Sequence, residues 1–95
     1  MAAYMIVHLE VLDPTAYAEY SKAVPATIAA HGGRFLVRGG AVEVLEGEFM
    51  PKRVVVLEFP DVDTAKGWYR SPEYAPLIAM RKRAARGSFY MVTGV

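Results

Sequence analysis

Hydrophobic and polar positions alternate from the fourth residue onward. Tyr4, Ile6, His8 and Glu10 fall on one side of an extended segment, and Met5, Val7, Leu9 and Val11 on the other. The β-branched and aromatic content of Tyr4 to Val11 predicts a strand. Its second set is wholly apolar and must be covered. Its first set is mixed, as suits a wall that also faces a cavity. The period then changes. Asp13-Pro14 supplies an N-cap and a proline at the first helical position, and Tyr17, Tyr20, Val24, Ile28 and His31 follow at helical spacing. Pro25 interrupts that stripe and predicts a kink, and Gly32-Gly33 ends the helix with one glycine in the left-handed conformation.

The second half returns to period two. Arg34 to Arg38 reads as a strand with Arg34, Leu36 and Arg38 on one side and Phe35 and Val37 on the other. Gly39-Gly40 suits a tight hairpin turn, and Ala41 to Leu45 would return as a short strand. Gly47 to Lys52 is a loop, and Arg53 to Phe59, with its Val54-Val55-Val56-Leu57 run, predicts a central strand. Asp63 is positioned to cap a short helix through Tyr69. Ser71-Pro72 repeats the cap-then-proline signal for another helix ending at Arg86, with Gly87 beyond it, and Ser88 to Thr93 is the last strand.

This order is β-α-β-β-α-β with a small extra strand: an α+β, ferredoxin-like antiparallel sheet with both helices on one face. The opposite face is left bare and apolar, and two such sheets packed face to face would give a symmetric homodimer. Ninety-five residues make one domain, spanning positions 1–95, and a hydrophobic fraction of 54% is ample for a core. The net charge of +1 gives no large field for nucleic acid. No apolar run approaches the ~20 residues of a membrane span, and no signal peptide pattern opens the chain. With no cysteine at all, disulfides, thiolate nucleophiles and Cys-ligated metals are excluded. The expectation is a cytoplasmic protein with neither nucleic-acid nor membrane partners.

The chemistry on offer is polar groups on strands and aromatics on helices. Strand positions supply His8, Glu10, Arg34, Arg38, Glu58 and Tyr90, and helical positions supply Tyr17, Tyr20, Trp68, Tyr69 and Tyr74. Placed between sheet and helices, they describe a cleft with aromatic walls and an Arg-carboxylate-His polar end, the usual form of a small-molecule site. The plainer alternative is a filled core in which Arg38 and Glu58 form a structural ion pair. His8 is a candidate general base, since its ordinary pKa of about 6.5 suits proton transfer near neutrality, and Glu58 is a second candidate. His31 is placed to meet an anion or simply to cap a helix end. Trp68, Tyr69 and Tyr74 suit either stacking on a ligand or core packing. Arg81-Lys82-Arg83 and Arg86 read as a solvated helix end, with Arg81 alone on the stripe of Tyr74, Leu77 and Ile78. Two histidines without cysteine or HExxH leave no metal site, and neither glycine pair matches a nucleotide loop.

Several blocks occur together and in order: Tyr17-x-x-Tyr20, His31-Gly32-Gly33-Arg34, Arg38-Gly39-Gly40, Glu58-Phe59-Pro60, and Ala65-x-x-Trp68-Tyr69-x-Ser71-Pro72-x-Tyr74 with Arg81 after it. In these the chain resembles the small DUF1330 proteins of the dimeric α/β-barrel superfamily. The resemblance implies a ferredoxin-like subunit paired through its sheets and a mostly bacterial protein. It implies no established activity, although the wider superfamily includes cofactor-independent monooxygenases, haem-degrading enzymes, muconolactone isomerase-like proteins and stress-related proteins. Sharing a fold with those is analogy.

The leading expectation is a protein that binds a small, partly apolar, anionic organic molecule without metal or cofactor. Arg34 and Arg38, with His31, would meet the anion, and Trp68, Tyr69 and Tyr74 would enclose the body. The alternative is a cofactor-independent enzyme using His8 or Glu58 as base, with Arg38 stabilising the anion formed. The third is a structural dimer with no ligand.

Overall fold

A computed structural model describes residues 1–95. Its elements are β1 (Ala3–Val11), α1 (Pro14–Ala30), β2 (Arg34–Arg38), β3 (Arg53–Phe59), α2 (Val62–Tyr69), α3 (Ala75–Ala84) and β4 (Ala85–Thr93). The four strands form one antiparallel sheet in the order β2-β3-β1-β4. Helices α1 and α3 pack together, and all three helices cover the same face. This is a ferredoxin-like α+β arrangement.

The covered face follows from the alternation. Met5, Val7 and Leu9 of β1 stand opposite Leu57, Val55 and Arg53 of β3, and Met5, Val7 and Leu9 with Val55, Leu57 and Phe59 are buried under the helices. Val24, Ile28, Trp68, Tyr74 and Leu77 close the core from the helical side. The other face carries Tyr4, Ile6, His8 and Glu10 of β1, Val54, Val56 and Glu58 of β3, and Tyr90 and Val92 of β4. No helix covers it. Val37, Tyr90 and Val92 on this open face are each about 40% exposed.

Helix α1 begins as its sequence dictates. The Asp13 carboxylate accepts the Ala16 N–H at 3.1 Å, with Pro14 at the first position. It ends at His31, where Gly32 takes a φ of +71° and the Gly33 N–H reaches back to the Ile28 carbonyl at 3.0 Å. Pro25 lies inside the helix and has no N–H to give the Ser21 carbonyl one turn earlier. That carbonyl is met instead by the Arg38 guanidinium from β2, which also donates to the Ser21 hydroxyl at 3.0 Å. A helix breaker on one element thus creates the acceptor that ties it to another. Pro25→Ala restores the missing donor and is expected to raise the folding free energy by about 1–2 kcal/mol, part of the ~3 kcal/mol that proline costs in a helix interior. A thermal melt checks this; an unchanged or lowered midpoint means the Arg38 contact already compensates for the proline.

Three local expectations are corrected. Ala41 to Leu45 is not a strand, because the antiparallel partner of β2 is β3, with Arg34 opposite Glu58. Residues 40–52 form a loop instead, and Gly39 takes a φ of +74°, a conformation that favours glycine, with the Arg53 guanidinium packed against it. Asp61, not Asp63, caps α2, accepting the Thr64 N–H at 2.7 Å. Ser71-Pro72 forms a turn ahead of α3, which starts at Ala75; the Ser71 hydroxyl accepts the Tyr74 N–H at 3.2 Å. That helix stops at Ala84, since Ala85 and Arg86 pair with Val11 and Glu10 as the start of β4.

Candidate functional site

Residues of the covered face and of α1 enclose a narrow cavity. Its apolar walls come from Val7 and Leu9 of β1, Val55 and Leu57 of β3, Phe35 of β2, and Val24 and Ile28 of α1. Its volume is about 20 Å³, room for about one water on the criterion of roughly 10–15 Å³ each. The polar groups are Tyr17, Tyr20, Ser21, Arg38, Arg53 and Arg81. Three arginines and no carboxylate or histidine therefore line one apolar space.

Each guanidinium rests on an aromatic ring: Arg38 on Phe35 at 4.4 Å, Arg53 on Tyr17 at 5.2 Å and Arg81 on Phe89 at 4.8 Å. Arg38 and Arg53 have protein acceptors. Arg38 donates to Ser21, and the Arg53 Nε donates to the Tyr17 hydroxyl at 3.2 Å. Arg81 is different. It is only 7% exposed, and neither its Nε nor its Nη2 makes a well-formed hydrogen bond to the protein, the nearby Tyr74 hydroxyl offering the guanidinium at most a weak one. A buried polar group left unpaired costs about 1–3 kcal/mol, and a charged one more.

Beside Arg81 stand two phenols. Tyr20 of α1 and Tyr74 share a hydrogen bond of 2.7 Å between their hydroxyls. Burial pushes both pKa values up; for Tyr20 the neighbouring Tyr74 adds to the rise, while for Tyr74 its bond to Tyr20 and the Arg81 charge oppose it. Both phenols are therefore neutral at physiological pH, one donating to the other. The sign of the linkage is fixed by that direction. A phenol whose folded pKa lies above its unfolded value of about 10 holds its proton longer in the folded state, so its stabilising contribution is complete below about pH 10. It is lost as the pH climbs towards the folded pKa, at up to about 1.4 kcal/mol per pH unit for each such group. Tyr20→Phe is expected to make the alkaline loss of stability shallower. Denaturant melts across that range check it, and an unchanged slope would remove Tyr20 from the account of alkaline unfolding.

The strand residues expected at this cleft are split between the two faces. A β-bulge at Leu36 resets the parity of β2: Arg34 pairs with Glu58 and Phe35 with Leu57, but Arg38 pairs with Val55. Arg38 thus reaches the cavity while Arg34 lies on the open face. There Arg34 grips Glu58, with Nε at 2.8 Å and Nη2 at 2.7 Å from one carboxylate oxygen. The Arg38–Glu58 ion pair of the filled-core alternative does not form, since Arg38 bonds Ser21 and Glu58 bonds Arg34. His8, Glu10 and Tyr90 also lie on the open face. The His8 ring sits 5.3 Å from Phe49 of the 40–52 loop and 5.6 Å from Tyr90, beside a shallow hollow of about 400 Å³. Glu10 pairs with Arg86 at 2.8 Å. The physical reason is the one the alternation carried: helices cover the wholly apolar set, so the mixed set faces the other way.

The aromatic expectations are corrected as well. Trp68 and Tyr74 are fully buried and stacked at 4.1 Å, so they are core rather than cavity wall, and only the Tyr74 hydroxyl reaches towards the site through Tyr20. The Trp68 indole N–H donates to the Thr27 hydroxyl at 3.0 Å, tying α2 to α1. Tyr69 packs against Phe89 at 5.2 Å beside a separate groove between α2 and β4. His31 is the C-cap of α1 and does not reach the cavity. Arg53 was not singled out by sequence, although its parity with Val55 and Leu57 places it on the covered face. Arg81 was signalled by its helical stripe.

Known proteins of similar structure share this frame. A protein of unknown function from Rhodopseudomonas palustris superposes with a TM-score of 0.78 at 18% identity, over 99% of this chain and 82% of its own. SnoaB, a cofactor-independent oxygenase from Streptomyces nogalater, matches with a TM-score of 0.68 at 13% identity, over 99% and 93%. A conserved protein of unknown function from Bacteroides thetaiotaomicron, described as a possible oxidoreductase, matches with a TM-score of 0.56 at 9% identity, over 96% and 95%. At these identities the likeness is one of fold. No curated protein matches the sequence. The model of a domain of unknown function, DUF1330, matches residues 2–95, and the chain belongs to that family.

Proposed function

We propose that the protein binds a small, partly apolar organic anion in the cavity between α1 and the sheet. One observation carries this reading: a buried guanidinium with two unanswered N–H donors in an apolar space holding three arginines and no carboxylate. Arg81 meets the anion, the neutral Tyr20–Tyr74 phenol pair flanks it, and Phe35, Leu57 and Ile28 receive the apolar part. The narrow volume means that binding requires opening, and the Arg38–Ser21 contact is the latch that must give. A panel of small aromatic and aliphatic acids, each beside its neutral amide, tests the reading by thermal shift. The acids raise the midpoint of the wild type and leave Arg81→Met unmoved. Equal shifts with acids and amides, or none with any acid, would sink it.

A second reading is cofactor-independent catalysis, which the fold shared with SnoaB favours. With His8 and Glu58 as bases, the substrate would sit on the open face rather than in the cavity. Arg34, hydrogen-bonded to Glu58, holds that carboxyl below its usual range and makes it a weaker base. His8, in its hollow beside Phe49, is the stronger candidate. A reaction whose rate survives His8→Ala removes this role.

The open face is also the surface through which we assign a homodimer. Half-buried Ile6, Val54 and Val56 and exposed Val37 and Tyr90 present an apolar centre that no helix covers, with the exposed Phe49 and Met50 of the loop at its side. Sedimentation is expected to give a dimer for the wild type and a monomer for Val56→Lys, which places a charge at the centre of the seam. A monomeric wild type contradicts it. No helix is long and apolar enough to cross a membrane; a cysteine-free chain suits the reducing cytoplasm, where we place it.

A further inference from the structure

The two unanswered nitrogens of Arg81 share one edge of the planar group. Nε and Nη2 point their N–H bonds side by side, and that edge makes no well-formed hydrogen bond to the protein. Elsewhere in the molecule the same edge is the one that carboxylates take. Arg34 brings Nε and Nη2 to one oxygen of Glu58 at 2.8 and 2.7 Å, and Arg86 brings them to one oxygen of Glu10 at 2.9 and 2.8 Å. Both of those pairs lie on the open face, and the cavity contains no carboxylate of its own to fill the Arg81 edge. In both pairs one carboxylate oxygen takes both donors; a free carboxylate can also turn its two oxygens to the two parallel donors, which a phenolate, an enolate or a halide, with one acceptor centre, cannot do.

We infer that the free Nε/Nη2 edge of Arg81 is a receptor for a carboxylate group, so that the ligand of the cavity is an organic carboxylic acid bound as its anion. This rests on the reading that the cavity binds an organic anion and narrows it to one functional group. The aromatic face of Phe89 lies against the guanidinium at 4.8 Å and fixes the plane of the fork. The Tyr20–Tyr74 phenol pair, held neutral by burial, lies beside the guanidinium and adds no competing negative charge. The apolar walls formed by Leu57, Ile28 and Phe35 receive whatever the carboxylate is attached to.

The test is nitrogen-detected NMR of the Arg81 Nε–Hε group in the full-length protein, titrated with formate, acetate and benzoate. Formamide and benzamide serve as neutral counterparts, and chloride and inorganic phosphate as other anions. The carboxylates move the Arg81 Hε signal saturably, while the amides and chloride bind at least about tenfold more weakly, the ratio that loss of one good charge-assisted hydrogen bond produces. Arg81→Lys keeps the charge and removes the fork, and lowers carboxylate affinity by about tenfold without reversing the preference for anions over amides. Chloride binding as tightly as acetate overturns the fork, phosphate binding as tightly as acetate overturns its assignment to a carboxylate, and an Hε signal that no carboxylate moves overturns both. The two readings separate cleanly. Benzoate that binds with equal affinity to wild type and Arg81→Lys, leaving the Hε signal in place, overturns the carboxylate receptor but not the binding of organic anions. Formate and acetate that bind where benzoate does not support the receptor and overturn the partly apolar ligand.

Discussion

Trp68→Ala is expected to lower the folding free energy by about 3–5 kcal/mol, the range for truncating a large buried aromatic. The indole is fully buried. It stacks on Tyr74 at 4.1 Å, lies 5.3 Å from Phe59, and donates its N–H to Thr27. Truncation leaves a void at the junction of α1, α2 and the sheet, and leaves the Thr27 hydroxyl without its donor. Against the ~5–15 kcal/mol of a typical domain, the loss takes a large fraction of all stability. Urea melts decide it: the midpoint falls with an unchanged slope if the fold stays intact. A cost below about 1 kcal/mol would mean that the ring packs loosely enough to be a ligand wall after all.

Arg81→Met is expected to act in the opposite direction. In buffer free of organic acids, removing the unpaired buried guanidinium raises the folding free energy by about 1–4 kcal/mol, as apolar replacement of buried charge often does. The thioether side chain keeps most of the arginine's packing against Phe89. The same change abolishes anion binding. Gain of stability with loss of binding is the mark of a residue kept for function at the expense of the fold. Parallel melts of wild type and variant measure it. A variant less stable than the wild type would instead make Arg81 a structural member of the core, with its donors answered in solution.

Much of the fold was written in local pattern. Asp13-Pro14, Gly32-Gly33 and the alternation of Met5, Val7 and Leu9 each express a short-range rule, and each is realised in the structure. The site was less legible, because it depends on which face each strand turns to the helices. The apolar set of β1 demanded cover, yet the mixed set containing His8 and Glu10 was read as the cavity wall; the two demands compete for one face, and burial of apolar surface wins. The bulge at Leu36 is a second obstacle. One extra residue reverses the parity of everything after it, which is why Arg34 and Arg38, four positions apart and expected together, end on opposite sides. The Arg38 contact with Ser21 was hidden for a different reason. Pro25 announced a broken helix bond, but only the tertiary fold shows which side chain answers the freed carbonyl. Arg81 was readable in part, since a helical stripe shared with Tyr74, Leu77 and Ile78 points inward, while the missing acceptor at its Nε/Nη2 edge is a property of the assembled cavity.

The central claim, an organic anion held by Arg81 between α1 and the sheet, is tested most directly by native mass spectrometry of freshly purified wild type beside Arg81→Met prepared in the same way. The wild type is expected to carry a small additional mass per subunit that leaves as an acid on activation, and the variant to fly bare. Wild type and variant of equal ligand content, whether both loaded or both empty, would contradict it.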